Sequence, residues 1–196
     1  MSNTPTALLI DRVRPAAFDR YRLSYDVVSV ASATAFIALL AQLRFPLPFT
    51  PVPVTGQTLA VLLVAAALGR SRAVSSVVAY LVLGALGLPL FTGFGSGLER
   101  LAGPTGGYLI GFFPAAVLVG FLAEKGWSRR WLRSLAAMAL GSLLIYAFGA
   151  LWLARFTGLA RAFSLGVLPF IPGDLVKVGI ATALLPSAWR ILGPRD

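Results

Sequence analysis

Gly106-Gly-Tyr-Leu-Ile-Gly-Phe-Phe-Pro-Ala-Ala-Val-Leu-Val-Gly-Phe-Leu-Ala123 runs from end to end without a charged side chain. It is one of six apolar stretches. The others are Val27–Leu43, Gln57–Gly69, Ala73–Phe91, Trp131–Phe156 and Val167–Trp189. A helix needs about 20 residues to cross the roughly 30 Å hydrocarbon core of a bilayer. Five stretches meet that length. The second is too short alone and is expected to borrow from the proline-rich segment before it. A 3.6-residue period is weak throughout, as it should be where lipid and neighbouring helices are both apolar. The fold class that follows is an all-α membrane protein, a bundle of six transmembrane helices with no room for a soluble catalytic module.

Composition agrees. The chain has 196 residues, 58% hydrophobic and 12% charged, and a mean hydropathy of +0.83. Soluble domains average about 45–50% apolar and about 25% charged residues. Cys and His are both absent. That excludes a disulfide framework, thiolate or imidazole metal sites, and Ser-His-Asp or Cys-His catalysis.

The net charge of +10 reads as topology rather than nucleic-acid binding, because basic residues are spread along the chain and Lys and Arg are retained on the cytoplasmic side. With the N-terminus inside, the inner segments hold Arg12, Arg14, Arg20, Arg22, Arg70, Arg72, Lys125, Arg129, Arg130, Arg133, Arg190 and Arg195. The outer loops hold only Arg44, Arg100, Arg155 and Arg161. The expected arrangement is N-in, C-in. Residues 1–26, polar and mixed in charge, form a cytoplasmic tail with a short surface helix and no signal peptide. Residues 27–189 form the bundle, and 190–196 a short cytoplasmic tail.

Three irregular segments then fall on the outer side. The first, Phe45-Pro-Leu-Pro-Phe-Thr-Pro-Val-Pro-Val-Thr55-Gly56-Gln57, carries four prolines and is extended. The second, Thr92-Gly-Phe-Gly-Ser-Gly-Leu-Glu-Arg100-Leu-Ala-Gly-Pro-Thr-Gly-Gly-Tyr108, is rich in glycine, and Pro104 is placed to start the following helix. The third, Leu168-Pro-Phe-Ile-Pro-Gly-Asp174-Leu-Val-Lys177, puts Asp174 and Lys177 on one helix face. A charge at the bilayer centre costs roughly 2.5–3.5 kcal/mol, so the pair is either mutually compensated or functional. Irregular backbone at membrane depth is tolerated only inside protein or beside a watery cavity. A pocket open to the outside accounts for all three segments.

Its lining would be Asp174, Lys177, Arg100, Gln57, Thr55, Tyr108 and apolar wall. That suits a small, partly apolar molecule with a polar head and an anionic group. No phosphate-cradling loop is present, so ATP-driven transport would need partner subunits. Ala31, Ala35 and Ala38 form a small-residue stripe on the first helix, fit for close helix contact with a partner or within the chain. A small intramembrane enzyme or channel remains the alternative, although neither a nucleophile nor a polar stripe through several helices is evident.

Four stretches resemble the BioY family, the biotin-specific substrate-binding (S) components of energy-coupling factor (ECF) transporters. They are Pro51-Val-Pro-Val-Thr-Gly-Gln-Thr-Leu-Ala60-Val-Leu-Leu, Leu83-Gly-Ala-Leu-Gly-Leu-Pro89-Leu-Phe, Gly103-Pro-Thr-Gly-Gly-Tyr-Leu-Ile-Gly-Phe112 and Pro172-Gly-Asp-Leu-Val-Lys177. The resemblance runs from about Val27 to Trp189. It implies an S-component fold in a bacterial cytoplasmic membrane and an outward-facing, high-affinity biotin pocket. The implied site comprises Thr55, Gly56, Gln57, Gly107, Tyr108, Asp174 and Lys177, with Tyr80 and Arg100 less firmly anchored. It also implies that Ala31 and Ala35 contact the coupling protein, that two ATPase subunits supply the energy, and that the chain needs no cofactor. Some members of the family are thought to work without those partners, by self-association.

Overall fold

Backbone donors and acceptors find no partners in hydrocarbon, so apolar runs close their hydrogen bonds internally as helices. The computed structural model describes residues 8–13 and 21–192. Its helices are α1 (Leu9–Arg12), α2 (Arg22–Gln42), α3 (Gln57–Ala85), α4 (Leu98–Ala102), α5 (Gly106–Glu124), α6 (Trp131–Thr157), α7 (Leu159–Gly166) and α8 (Ile171–Leu192). Two short strands, β1 (Arg44–Phe45) and β2 (Val54–Thr55), pair antiparallel.

Among the described residues five runs are long and apolar enough to cross a membrane, one fewer than the stretches in the sequence. The difference lies in α3. At Gly69 the backbone leaves helical space, with φ 78° and ψ 178°. Gln57 and Tyr80 nevertheless hydrogen-bond across the element. A straight helix would hold residues 23 apart roughly 34 Å from each other, so the element folds back on itself at Gly69. Residues 57–68 and 70–85 are thus two antiparallel helical segments, consistent with the two separate stretches read there in the sequence. The reversal is sealed by Glu124, whose Oε1 accepts the free Arg70 N–H at 2.7 Å.

The short segment 57–68 does not extend its helix backward as the sequence suggests. The chain before it is β2, and β1–β2 with the proline loop between them caps that end of the bundle. Thr50 pins the loop, its hydroxyl donating to the Leu165 carbonyl at 2.8 Å. α5 begins at Gly106, so Pro104 lies two residues before the helix rather than in its first turn.

Most of the charged residues described lie at the opposite end. Arg72 bridges Asp11 at 2.9 Å and Asp26 at 2.7 Å, and the Tyr25 hydroxyl donates to the Ile10 carbonyl at 2.7 Å. The short helix α1 is therefore fastened to α2 and α3. The Arg129 guanidinium lies over the Trp189 ring at 4.4 Å. Arg70, Arg72, Lys125, Arg129, Arg130, Arg133 and Arg190 fall at this Gly69 end by chain direction, while Arg14, Arg20 and Arg195 lie outside the described residues. The core between the ends is small and close-packed. Ala60, Ala65, Ala73, Ala115 and Ala116 are buried along α3 and α5, with Phe112 and Ile145 filling the gaps.

A side chain at Gly69 would adopt a left-handed conformation that costs about 1–2 kcal/mol, and its Cβ would also press on Leu8. Gly69→Ala is expected to lower the melting temperature in detergent by roughly 3–8 °C. Gly179→Ala, whose Cβ would meet nothing, is expected to leave it within about 1 °C of wild type.

Candidate functional site

The three irregular segments meet at the end of the bundle away from Gly69 and enclose a cavity of about 290 Å³. Its apolar wall comes from Leu47 and Val52 of the proline loop, Phe91, Leu109 and Phe112 of α5, and Phe170. Its polar wall is set by α8, whose first turn carries Asp174. Lys177, one turn on, donates to Asp174 Oδ1 at 2.7 Å and to Thr58 Oγ1 at 3.1 Å. Tyr146 of α6 donates to Asp174 Oδ2 at 2.6 Å. One carboxylate therefore ties α8 to α6 and, through Lys177, to α3. Asp174 is only 7% exposed, so these contacts offset a desolvation that an unpaired charge could not bear.

The network is satisfied but not saturated. An ammonium has three hydrogens, and two have partners, leaving one N–H of Lys177 for a ligand. Each carboxylate oxygen of Asp174 keeps lone-pair capacity. Gln57 is oriented from three sides. Its Oε1 accepts from Thr55 and Thr92, each at 3.1 Å, and its Nε2 donates to Tyr80. A second N–H on Nε2 remains.

Of the residues singled out in the sequence, Thr55, Gln57, Arg100, Tyr108, Asp174 and Lys177 line this cavity. Three do not. Tyr80 is fully buried and stands behind Gln57 as its anchor. Gly56 faces α2, where a Cβ would lie 2.8 Å from the Leu40 carbonyl oxygen. Gly107 faces α6, where a Cβ would collide with Trp152. Both glycines serve helix packing around the site. Tyr108 has its hydroxyl proton committed to the Gly166 carbonyl at 2.7 Å, so it can offer a ligand its ring or its oxygen as an acceptor but no donor.

The cavity also contains residues the sequence did not mark, chiefly Arg44, Thr58, Thr92 and Tyr146. Tyr146 is the one tyrosine of the fifth stretch and sits near its middle, away from Arg133 and Arg155 at its ends, a signal that could have been read. Arg44 could be read only as an outer-loop charge. On α2, Ala31 and Ala35 are exposed, while Ala38 packs against the core. Ala31 and Ala35 are therefore not consumed by packing within the chain, whereas Ala38 is in part.

Comparison with known proteins places the architecture. Residues 13–194 match the sequence model of the BioY family. The chain belongs to the BioY family. The match extends beyond Val27–Trp189 at both ends. A probable biotin transporter BioY of Pyrococcus horikoshii is 42% identical over 159 residues, covering 81% of this chain and 93% of that protein. The biotin transporter BioY of Thermotoga maritima is 40% identical over 160 residues, covering 81% and 92%. The crystal structure of an S-component for biotin from an ECF-type ABC transporter superposes with a TM-score of 0.77 at 29% identity, covering 86% of this chain and 92% of that one. The BioY chain is thus a multi-pass membrane protein with the S-component fold, a transporter component and not an enzyme.

Removing the ammonium strands the buried carboxylate. Lys177→Met is expected to destabilise the protein by roughly 1–3 kcal/mol, read as a lower melting temperature in detergent. Combining it with Asp174→Asn should recover part of that loss, which a double-mutant cycle measures.

Proposed function

We propose that this chain binds biotin in the cavity at the end of the bundle away from Gly69 and delivers it across the cytoplasmic membrane of a bacterium. The observation that carries this reading is the unsaturated Asp174–Lys177–Tyr146 network in a cavity that also offers the apolar side chains of Leu47, Val52, Phe91, Leu109, Phe112 and Phe170. A ureido ring offers two N–H donors and one carbonyl acceptor. The spare lone pairs of Asp174 and the free N–H of Lys177 complement it, and the thiophane ring and valeryl chain match Phe91, Phe112 and Leu47. The family membership and the biotin transporters among its relatives support the same ligand.

In this reading the arginine-rich Gly69 end faces the cytoplasm and the cavity faces out, in accord with the positive-inside rule. Residues 27–189 form the substrate-binding bundle, flanked by cytoplasmic segments 1–26 and 190–196. The exposed Ala31 and Ala35 let a helix of an ECF coupling protein approach closely, and two ATPase subunits drive transport. The chain uses no cofactor of its own.

Purified protein is expected to bind labelled biotin saturably, with desthiobiotin competing better than lipoate. Asp174→Asn and Lys177→Ala should each weaken binding at least tenfold, about 1.4 kcal/mol or more. Wild-type affinity in both variants would refute the placement. Ala31→Leu with Ala35→Leu should leave biotin binding intact and abolish ATP-driven uptake in cells that also express the ATPase and coupling subunits.

A further inference from the structure

The cavity is not electrically balanced. Lys177 already matches Asp174 at 2.7 Å. Arg44 and Arg100 line the same cavity, yet among the described residues neither forms an ion pair. Two guanidinium groups on exposed residues thus line the cavity together with an Asp174–Lys177 pair that is neutral overall.

Their placement is built. Arg44 stands directly opposite Thr55 in the β1–β2 ladder, and Phe45 opposite Val54. Residues opposite each other share a face of the pleat, so Arg44 and Thr55 face the cavity together, while Phe45, 71% exposed, faces away. The Phe91–Gly95 turn receives both guanidiniums. It is closed by reciprocal backbone bonds of 2.9 and 3.2 Å. The Arg44 guanidinium lies against Gly93, where a Cβ would collide with it. The Arg100 guanidinium lies against Gly95, where a Cβ would come within 2.7 Å of Nε. Gly93 and Gly95 are two residues apart, so both cations pack on one short turn.

We propose that Arg44 joins Arg100 in a carboxylate subsite at the cavity mouth, and that Arg44 lets the protein tell a ligand with a free carboxylate from the same ligand with a neutral end. Planar guanidinium forks match a carboxylate bidentately, and two unpaired forks at one rim hold an anion better than one. The inference rests on the biotin reading for the remainder of the ligand, whose ureido head occupies the Asp174–Lys177 wall and leaves its valerate at the rim.

Calorimetric titration of the purified full chain with biotin and with its primary amide, biotinamide, tests it. Wild type should prefer the acid at least tenfold. Arg44→Gln should cut that ratio at least fivefold, and Arg44→Lys, which keeps the charge but loses the fork, should fall between. Taking the ratio within one variant cancels any loss of folded protein. Arg190→Gln, at the other end of the bundle, should keep the wild-type ratio. Acid and amide bound equally by wild type, or a wild-type ratio in Arg44→Gln, overturns the subsite and leaves the biotin reading standing. Wild type that binds neither compound overturns both.

Discussion

A helical segment of residues 57–68 rises only about 18 Å, well short of the roughly 30 Å hydrocarbon thickness, and much of the molecule follows from that shortfall. Because the chain reverses at Gly69, both ends of the α3 hairpin return to the same face. The first arm stops early there, and the depth it leaves is filled by the β1–β2 hairpin, its proline loop and the glycine-rich turn. Non-helical backbone is admitted at such depth only against protein or water. The cavity lies where that short arm ends.

The polar groups that result are held by one another rather than by solvent. Gln57 begins the short segment and is gripped by Thr55, Thr92 and Tyr80, which come from β2, the glycine-rich turn and the returning arm. Asp174 is gripped by Lys177 and Tyr146, and Lys177 reaches on to Thr58. The two clusters are one residue apart on α3, at Gln57 and Thr58. Each orients side chains across separate helices and keeps at least one donor or acceptor in reserve, which preorganises a site without closing it to a ligand.

Much of this was legible in the sequence. Uncharged runs such as 106–123 gave the membrane-embedded helices, because composition and length alone decide that partition. The Asp174–Lys177 pair was legible because helical spacing of three brings the two side chains together. Other features were less so. Gly56 and Gly107 looked like site residues because they sit in motif segments, but a motif does not say which way a residue faces. Tyr80, less firmly anchored, proves to stand behind Gln57. Arg44 looked like a topology charge because strand register, which aims it at the cavity, is a pairing between residues 11 positions apart.

Hydropathy and charge distribution by themselves determined the fold class, the number of apolar segments and the end at which irregular backbone collects, since each is a local or additive property of the chain. Only the tertiary structure decided that the break after Gly69 is a direct reversal sealed by Glu124 rather than a loop, and that Tyr146 and Thr58 complete the acid–base pair. It alone showed that Gly56 and Gly107 pack helices while two arginines share the rim. Those are relations between residues on different elements, fixed by how the helices pack, and no window of sequence contains them.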